Sequence, residues 1–207
     1  EIISAISHEF KNPIAIISGY SETILNDKDM PEAMKSKFLN KIYSNANKMS
    51  HIIDKLRLTL KLEEGKQELL LVPCSMKKIV ENCVSDLKDK YKNREIVIKG
   101  EDVSIKVDET LISMAISNLI ENSLKYSQKE VIVELSKEYI CIIDKGIGIE
   151  KKELENINQK FYRISNNGWN NSLGLGLFIV QSILNLHSFK LEIESEIDKG
   201  SNFYIKY

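Results

Sequence analysis

Four short segments carry side chains whose types and spacing could do chemistry. The first, Ser7-His8-Glu9-Phe10-Lys11-Asn12-Pro13, sets an imidazole beside a carboxylate. Asn12 follows His8 by four residues, so on a helix the two share a face. A neutral imidazole is a good nucleophile, and an adjacent carboxylate can hold its ring N–H and stabilise the charge that grows during attack. Pro13 removes a hydrogen bond to the Glu9 carbonyl and crowds it, which predicts a kink beside His8. A zinc helix is excluded, because His-Glu-x-x-Asn lacks the second histidine. Taken alone, the same residues also describe a solvated helix histidine titrating near neutrality.

The other three segments look like a nucleotide pocket. In Asn118-Leu119-Ile120-Glu121-Asn122-Ser123-Leu124-Lys125-Tyr126, helical spacing puts Asn118, Glu121, Asn122 and Lys125 on one face, with Leu119, Ile120 and Leu124 toward a core. An amide oxygen suits Mg²⁺, and a lysine can neutralise phosphate. Asp144-Lys145-Gly146-Ile147-Gly148-Ile149 follows an apolar strand; a buried Asp144 could accept from an exocyclic amine such as that of adenine, while the glycines let backbone come close. An ordinary turn with a capping aspartate would read the same way. Gly174-Leu175-Gly176 opens a helix, where free N–H groups and the dipole favour an anion. It is neither a Walker loop nor a Rossmann fingerprint.

The elements that must position these residues are legible in outline. The first part reads as two amphipathic helices. Ile6, Phe10, Ile17 and Ile24 form one stripe; Phe38, Ile42, Met49, Ile52 or Ile53, Leu56 and Leu60 form the other. Asp29 and Pro31 mark the break between them. A lone hairpin cannot bury both stripes, so a homodimeric four-helix bundle is expected. Gly65 is the expected C-terminal cap. Beyond it the spacing predicts strands over Gln67–Val72, Glu95–Lys99 and Ser104–Val107, helices over Met76–Lys90, Glu109–Tyr126 and Leu175–Leu186, a hairpin of Val131–Leu135 with Tyr139–Ile143, and strands near Leu191–Ser195 and Asn202–Lys206. Ser165–Ser172 reads as a polar, Asn-rich loop. The expected fold is therefore a helical hairpin over 1–64 and a two-layer α/β sandwich with a mixed sheet over 65–207.

Composition narrows the function classes. The chain has 207 residues, a net charge of −1, 43% apolar and 29% charged residues, which is the balance of a globular protein. No global charge argues for nucleic acid or an anionic membrane, so no direct nucleic-acid binding and no membrane contact are expected of this segment. Cys74, Cys83 and Cys141 are not spaced as a metal knuckle and read as buried thiols. The chain begins at Glu1 amid helical spacing and reads as a piece of something longer.

Together and in this order, these segments resemble the sensor histidine kinases of two-component systems. Ser7–Pro13 is similar to their histidine box, Asn118–Tyr126 to the N box, Phe161-Tyr162-Arg163 to the F box, Asp144–Ile149 and Gly174–Val180 to the glycine boxes, and Gly200–Phe203 to the closing motif. The resemblance implies autophosphorylation of His8 by ATP and transfer to an aspartate of a response regulator, with a reverse phosphatase activity. It implies that Glu9 orients or deprotonates His8 and that Asn12 serves the phosphatase reaction. It implies that Asn122 binds Mg²⁺ with Asn118 in support, Lys125 touches phosphate, Tyr126 lies along adenine and Asp144 recognises the adenine amino group. Gly146, Gly148, Gly174 and Gly176 would shape the pocket, and Arg163 would reach the γ-phosphate or the hairpin. The implied fold is a dimerising hairpin followed by a Bergerat-type ATP-binding sandwich. The implied setting is the cytoplasmic portion of a membrane-anchored bacterial sensor. Ser172-Leu173-Gly174 departs from the family's Gly-Thr/Ser-Gly opening, Asn158 stands where a Phe is common, and Trp169 is unexpected between Arg163 and Gly174.

Overall fold

The computed structural model describes residues 2–65, 67–162 and 173–207. Arg163, Trp169 and the Ser165–Ser172 loop lie outside the described residues. Residues 2–63 make one compact unit, and 64–162 with 174–207 belong to another.

The first unit is a hairpin of α1 (Ile2–Asn26) and α2 (Glu32–Glu63). Asp27 Oδ1 accepts from the Asp29 N–H in the connecting turn, and Pro31 offers its carbonyl to the N–H groups of Met34 and Lys35 at the start of α2. Tyr20 packs on Phe38 with ring centroids 4.8 Å apart, joining the two helices. α1 runs unbroken through Pro13 as helix. On α2 Ile52 and Thr59 are buried within the hairpin, whereas Ile53 and Leu60 are exposed. Steps of four and three residues from Ile52 through Leu56 reach Thr59; Leu60 is rotated off that line. Ile14, Ile16, Leu25, Met34, Leu39 and Tyr43 are also exposed.

The second unit is built on a five-stranded sheet ordered β2-β4-β5-β7-β6. Its strands are β2 (Ile96–Gly100), β4 (Val131–Leu135), β5 (Tyr139–Asp144), β6 (Lys190–Glu196) and β7 (Gly200–Lys206). The β2–β4 pair is parallel and the others antiparallel, so the sheet is mixed. α3 (Met76–Lys90), α4 (Glu109–Tyr126) and α6 (Gly176–Leu186) pack on it. Met76, Ile79, Val80, Ile112, Ile116, Leu119, Ile120, Ile179 and Ile183 from the helices meet Val131, Val133, Ile140, Ile142 and Ile205 from the strands, each at most 2% exposed. The three cysteines are buried and free, and burial pushes the Cys141 thiol up to about 12.

A strand over Gln67–Val72 does not form. β1 occupies Val72–Ser75 and pairs antiparallel with β3 (Ser104–Val107). The Leu70 N–H donates to Asp108 Oδ2 at 3.1 Å, which takes the preceding backbone away from any ladder. Ser75 then ends the strand and caps α3, its hydroxyl accepting from the Lys78 N–H at 3.1 Å. A one-turn helix, α5 (Lys151–Leu154), has no counterpart in the sequence reading. The other strands and helices agree with it to within one or two residues, and Gly65 has the positive φ of a helix-ending glycine, 62°.

α4 is the keystone of this core. Truncating Ile120→Ala there should cost about 2–5 kcal/mol. Urea titration followed by circular dichroism checks this; a midpoint within error of the parent chain would contradict it.

Candidate functional site

α4 holds the N-box side chains because both its ends are fixed. At its start Asp108 Oδ1 accepts from the Leu111 N–H at 3.1 Å, and the Asp108 N–H donates to His187 Nε2 at 3.0 Å. At its end Arg94 donates to the carbonyls of Leu124 and Lys129, at 2.6 and 2.8 Å. Leu119, Ile120, Ser123 and Leu124 point into the core, while Asn118, Glu121, Asn122 and Lys125 keep a half-exposed face, and Tyr126 is exposed at the C-terminal end.

α6 begins against this face. A β-carbon on Gly176 would lie 3.7 Å from Asn118 Oδ1 and 3.9 Å from Asn122 Nδ2, so both amides converge on the helix start. Asn118 Nδ2 is spent on the Met114 carbonyl at 2.8 Å, which leaves Oδ1 to face outward. Leu175 caps α6 without a side-chain bond, and the first intrahelical bond is Ile179 N–H to Leu175 O at 2.9 Å. The N–H groups of Gly176, Leu177 and Phe178 therefore stand without intrahelical acceptors. Two amides and an uncapped helix start, with Lys125 on the same half-exposed face of α4, together favour an oligophosphate.

Asp144 forms a second part of the site. It is 5% exposed at the end of β5. Its Oδ1 accepts from the Gly146 N–H at 2.8 Å, and its Oδ2 accepts from the Ser123 hydroxyl at 3.2 Å. Burial raises its pKa above the usual carboxylate value, and the Gly146 and Ser123 hydrogen bonds offset part of that rise. With the Ser201 backbone as a third donor, the carboxylate still keeps a lone pair for a further one. The glycines around it are required by contact. A β-carbon on Gly146 would sit 2.4 Å from the Tyr126 carbonyl oxygen. On Gly148, with φ 68°, it would sit 2.0 Å from the Glu196 carbonyl oxygen. Ser195 fixes the same loop from β6, its hydroxyl accepting from the Ile149 N–H at 2.8 Å.

Gly174, with φ 67°, accepts the Phe161 N–H at 3.0 Å, and its Cα faces the Tyr162 carbonyl. Phe161 itself has a φ of 63°, unusual for a bulky residue, so the backbone on either side of residues 163–172 is tied by a hydrogen bond.

Lys125 is held by a carboxylate as found. Its ammonium lies 3.5 Å from Glu121 Oε1, one helical turn back. Glu121 is also bonded by Lys90 and, at 3.1 Å, by the Tyr91 hydroxyl. Burial would raise the Glu121 pKa, but the bonds and charges of Lys90, Lys125 and Tyr91 outweigh it and bring it down to about 2. Lys90, Tyr91, Ser123 and Ser195 were not singled out from the sequence. Ser123 alone had a signal there, lying next to Asn122 on the flank facing the core.

In the helical unit, His8 is exposed and Asn12 half-buried, one turn apart on α1. Glu9 is 3% exposed, and its Oε1 has no hydrogen-bond partner among the described residues. No hydrogen bond joins Glu9 to His8 among those residues either, as expected for neighbours in sequence on a helix.

The comparisons with known proteins fall on the same two units. A family model described as the His Kinase A (phospho-acceptor) domain matches residues 1–65. One described as the histidine kinase-, DNA gyrase B-, and HSP90-like ATPase matches residues 107–207. The chain belongs to the sensor histidine kinases. The phosphate regulon sensor protein PhoR of Pseudomonas aeruginosa is 28% identical over 98% of this chain, which covers 48% of that protein. The sensor protein KdpD of Clostridium acetobutylicum is 30% identical over 97% of this chain and 23% of its own length. This kinase segment thus spans about half or less of those relatives. The histidine kinase AdeS of Acinetobacter baumannii shares the fold, with a TM-score of 0.73 at 22% identity, covering 96% of both chains. So does the histidine kinase ThkA, solved in complex with the response regulator protein TrrA, with a TM-score of 0.70 at 21% identity over 99% of this chain and 60% of that one. Among the described residues no helix is long and apolar enough to cross a membrane.

The glycine contacts separate two roles. Gly146→Ala forces a β-carbon onto backbone and should lower the thermal midpoint by several degrees, a cost of about 1–3 kcal/mol. Gly176→Ala meets only ordinary contacts and should keep the midpoint within about 2 °C while narrowing the phosphate site. Differential scanning fluorimetry of the two variants checks this; equal losses would overturn the assignment.

Proposed function

We propose that this chain uses ATP to phosphorylate His8 and then passes the phosphoryl group to an aspartate of a response regulator, in two-component signal transduction. The observation that carries this reading is the convergence of Asn118, Asn122 and the uncapped start of α6 at Gly176, in a chain whose exposed His8 sits in a histidine box.

In this reading residues 1–64 are the dimerisation and phosphotransfer hairpin and residues 65–207 the ATP-binding domain, with Glu63–Lys66 as the hinge between them. Asp144 accepts from the adenine amino group, and Tyr126 lies along the base. Gly146, Gly148, Gly174 and Gly176 leave room for backbone to approach the nucleotide. The free N–H groups of α6 and the Lys125 ammonium hold phosphate oxygens. Asn122, supported by Asn118, is the chain's ligand for Mg²⁺. Hard amide oxygen, turned outward on Asn118 by its bond to Met114 and reachable on Asn122 by a rotation of the amide, suits that ion. When bound, the ion supplies neutralisation of the charge on the transferring phosphoryl group. Arg163, outside the described residues, is assigned to the γ-phosphate or the hairpin on the resemblance alone.

The transfer itself is mostly positioning. A ring nitrogen of neutral His8 attacks the γ-phosphorus, the bond to the bridging oxygen breaks, and ADP leaves with that electron pair. Glu9 is assigned on the resemblance to orient His8 or to take the proton of its other ring nitrogen. Asn12, on the His8 face, serves the reverse, phosphatase reaction. The exposed apolar residues of α1 and α2 are the surface for a second copy, giving a homodimeric four-helix bundle. The structure of ThkA with TrrA supports a response regulator as partner, and the sensor proteins among the relatives support a membrane-anchored parent with this segment on the cytoplasmic side.

Incubation with γ-labelled ATP should give label that is stable in base, labile in acid and absent from His8→Ala. Acid-stable label, or label surviving in His8→Ala, would overturn the proposal. The buried Asp144 offers a second check. Its pKa is raised, so its ionisation opposes folding, and the opposition grows as pH climbs past the unfolded value and is complete once pH passes the folded one. Asp144→Asn keeps an acceptor for Gly146, offers an amide N–H to the Ser123 oxygen in place of the bond that hydroxyl now donates, and carries no charge, so it should unfold no more easily than the parent at pH 7. It should bind ATP about tenfold to a hundredfold more weakly. Calorimetric titration and thermal melts measure both; unchanged affinity would remove Asp144 from adenine recognition.

A further inference from the structure

Lys125 is committed to Glu121 in this structure, yet the proposed function needs its ammonium at phosphate. The resolution lies in the other two partners of Glu121. Lys90, from the last turn of α3, ion-pairs with Oε1 of the same carboxylate. The Tyr91 hydroxyl, from the residue that closes α3, donates to that oxygen at 3.1 Å. The Glu121 side chain is only 15% exposed, so left alone as an anion it would be costly. With Lys90 and Tyr91 in place, it loses a third partner and keeps two. The Lys125 side chain is 29% exposed and ends a flexible stem, so its release requires no movement of the helix.

We propose that Glu121 is a positioning residue for Lys125: with Lys90 and Tyr91 as its standing partners, it holds the Lys125 ammonium on the Asn118–Asn122 face until phosphate takes it. This rests on the reading of Lys125 as a phosphate contact. Nucleotide affinity then includes the breaking of one ion pair, and Lys90 sets how strongly that pair holds. A Lys90 that shares the carboxylate weakens its grip on Lys125, and a chain without Lys90 tightens it.

The two substitutions therefore act in opposite directions. Glu121→Gln leaves Lys125 unheld and should tighten binding of a non-hydrolysable ATP analogue about threefold. Lys90→Met leaves the carboxylate charge to Lys125 and should weaken it about threefold. Adenosine, which has no phosphate, should bind all three chains alike. Calorimetry on the whole chain at fixed ionic strength measures these affinities. If both variants shift the analogue in the same direction while adenosine stays unchanged, or if neither shifts it, the holding role is overturned. Where Glu121→Gln loosens the domain, adenosine weakens in parallel, and Lys90→Met, altering a side chain 63% exposed, decides alone. Lys125→Met separates this inference from the one beneath it. A loss of about tenfold for the analogue keeps Lys125 as a phosphate contact whatever the other two show. No loss removes that contact, and the role of Glu121 falls with it.

Discussion

A carboxylate placed at the buried end of a central strand is the constraint around which the ATP-binding unit is arranged. Asp144 gains nothing from burial as such: desolvation raises its pKa, and, beside a backbone bond from Ser201 on the neighbouring strand, the Gly146 N–H and the Ser123 hydroxyl offset part of that. Those two donors belong to different elements, the turn after β5 and the core-facing flank of α4. Satisfying one carboxylate therefore fixes the turn against the helix. The same demand propagates outward. The turn can lie so close to α4 only because Gly146 has no side chain, and the β6–β7 hairpin can close on Asp144 only because Gly200 has none; a β-carbon there would sit 2.0 Å from the Asp144 carbonyl oxygen. A group that costs stability and dictates its neighbours' geometry is most economically explained as one kept for a ligand.

What a sequence reveals about such a site depends on whether the signal is local. The Asn118–Tyr126 face was legible because helical spacing sorts it without knowledge of the fold, and the core flank of Leu119, Ile120 and Leu124 is buried as that spacing requires. The starts of α3 and α4 agree with the spacing, and the caps that fix them, Ser75 and Asp108, each accept from an N–H three residues on, although neither was singled out from the sequence. The misplaced strand at Gln67–Val72 shows the opposite case. Its residues have strand character, but a ladder needs a partner, and β3 lies opposite only from Val72 onward.

The ion-pair network of Glu121 was not legible at all. Lys90 and Tyr91 are some thirty residues away along the chain, and nothing in their own segment marks them as partners of α4. Sequence placed Lys125 on the right face and gave it a phosphate to touch. It could not show that a carboxylate one turn away would already have claimed it. Long-range polar contacts of this kind depend on the tertiary packing of α3 against α4, which periodicity predicts only as a pair of apolar faces.

The site residues on α4 and α6 thus divide by how freely they move. Asn118 is fixed by the Met114 carbonyl, and the N–H groups at the start of α6 are fixed by the helix itself. These present constant geometry to whatever binds. In the proposed reading Lys125 is the movable charge, and its partner keeps Lys90 and Tyr91 when it departs. A site for phosphoryl transfer needs both kinds of group. Rigid dipoles define where the phosphates lie, at no cost of reorganisation when charge develops. A mobile cation can follow that charge only if its resting counter-ion is stable without it. Without Lys90 and Tyr91, a half-buried Glu121 would hold Lys125 against the ligand; with them, the same carboxylate keeps the ammonium within reach and lets it go.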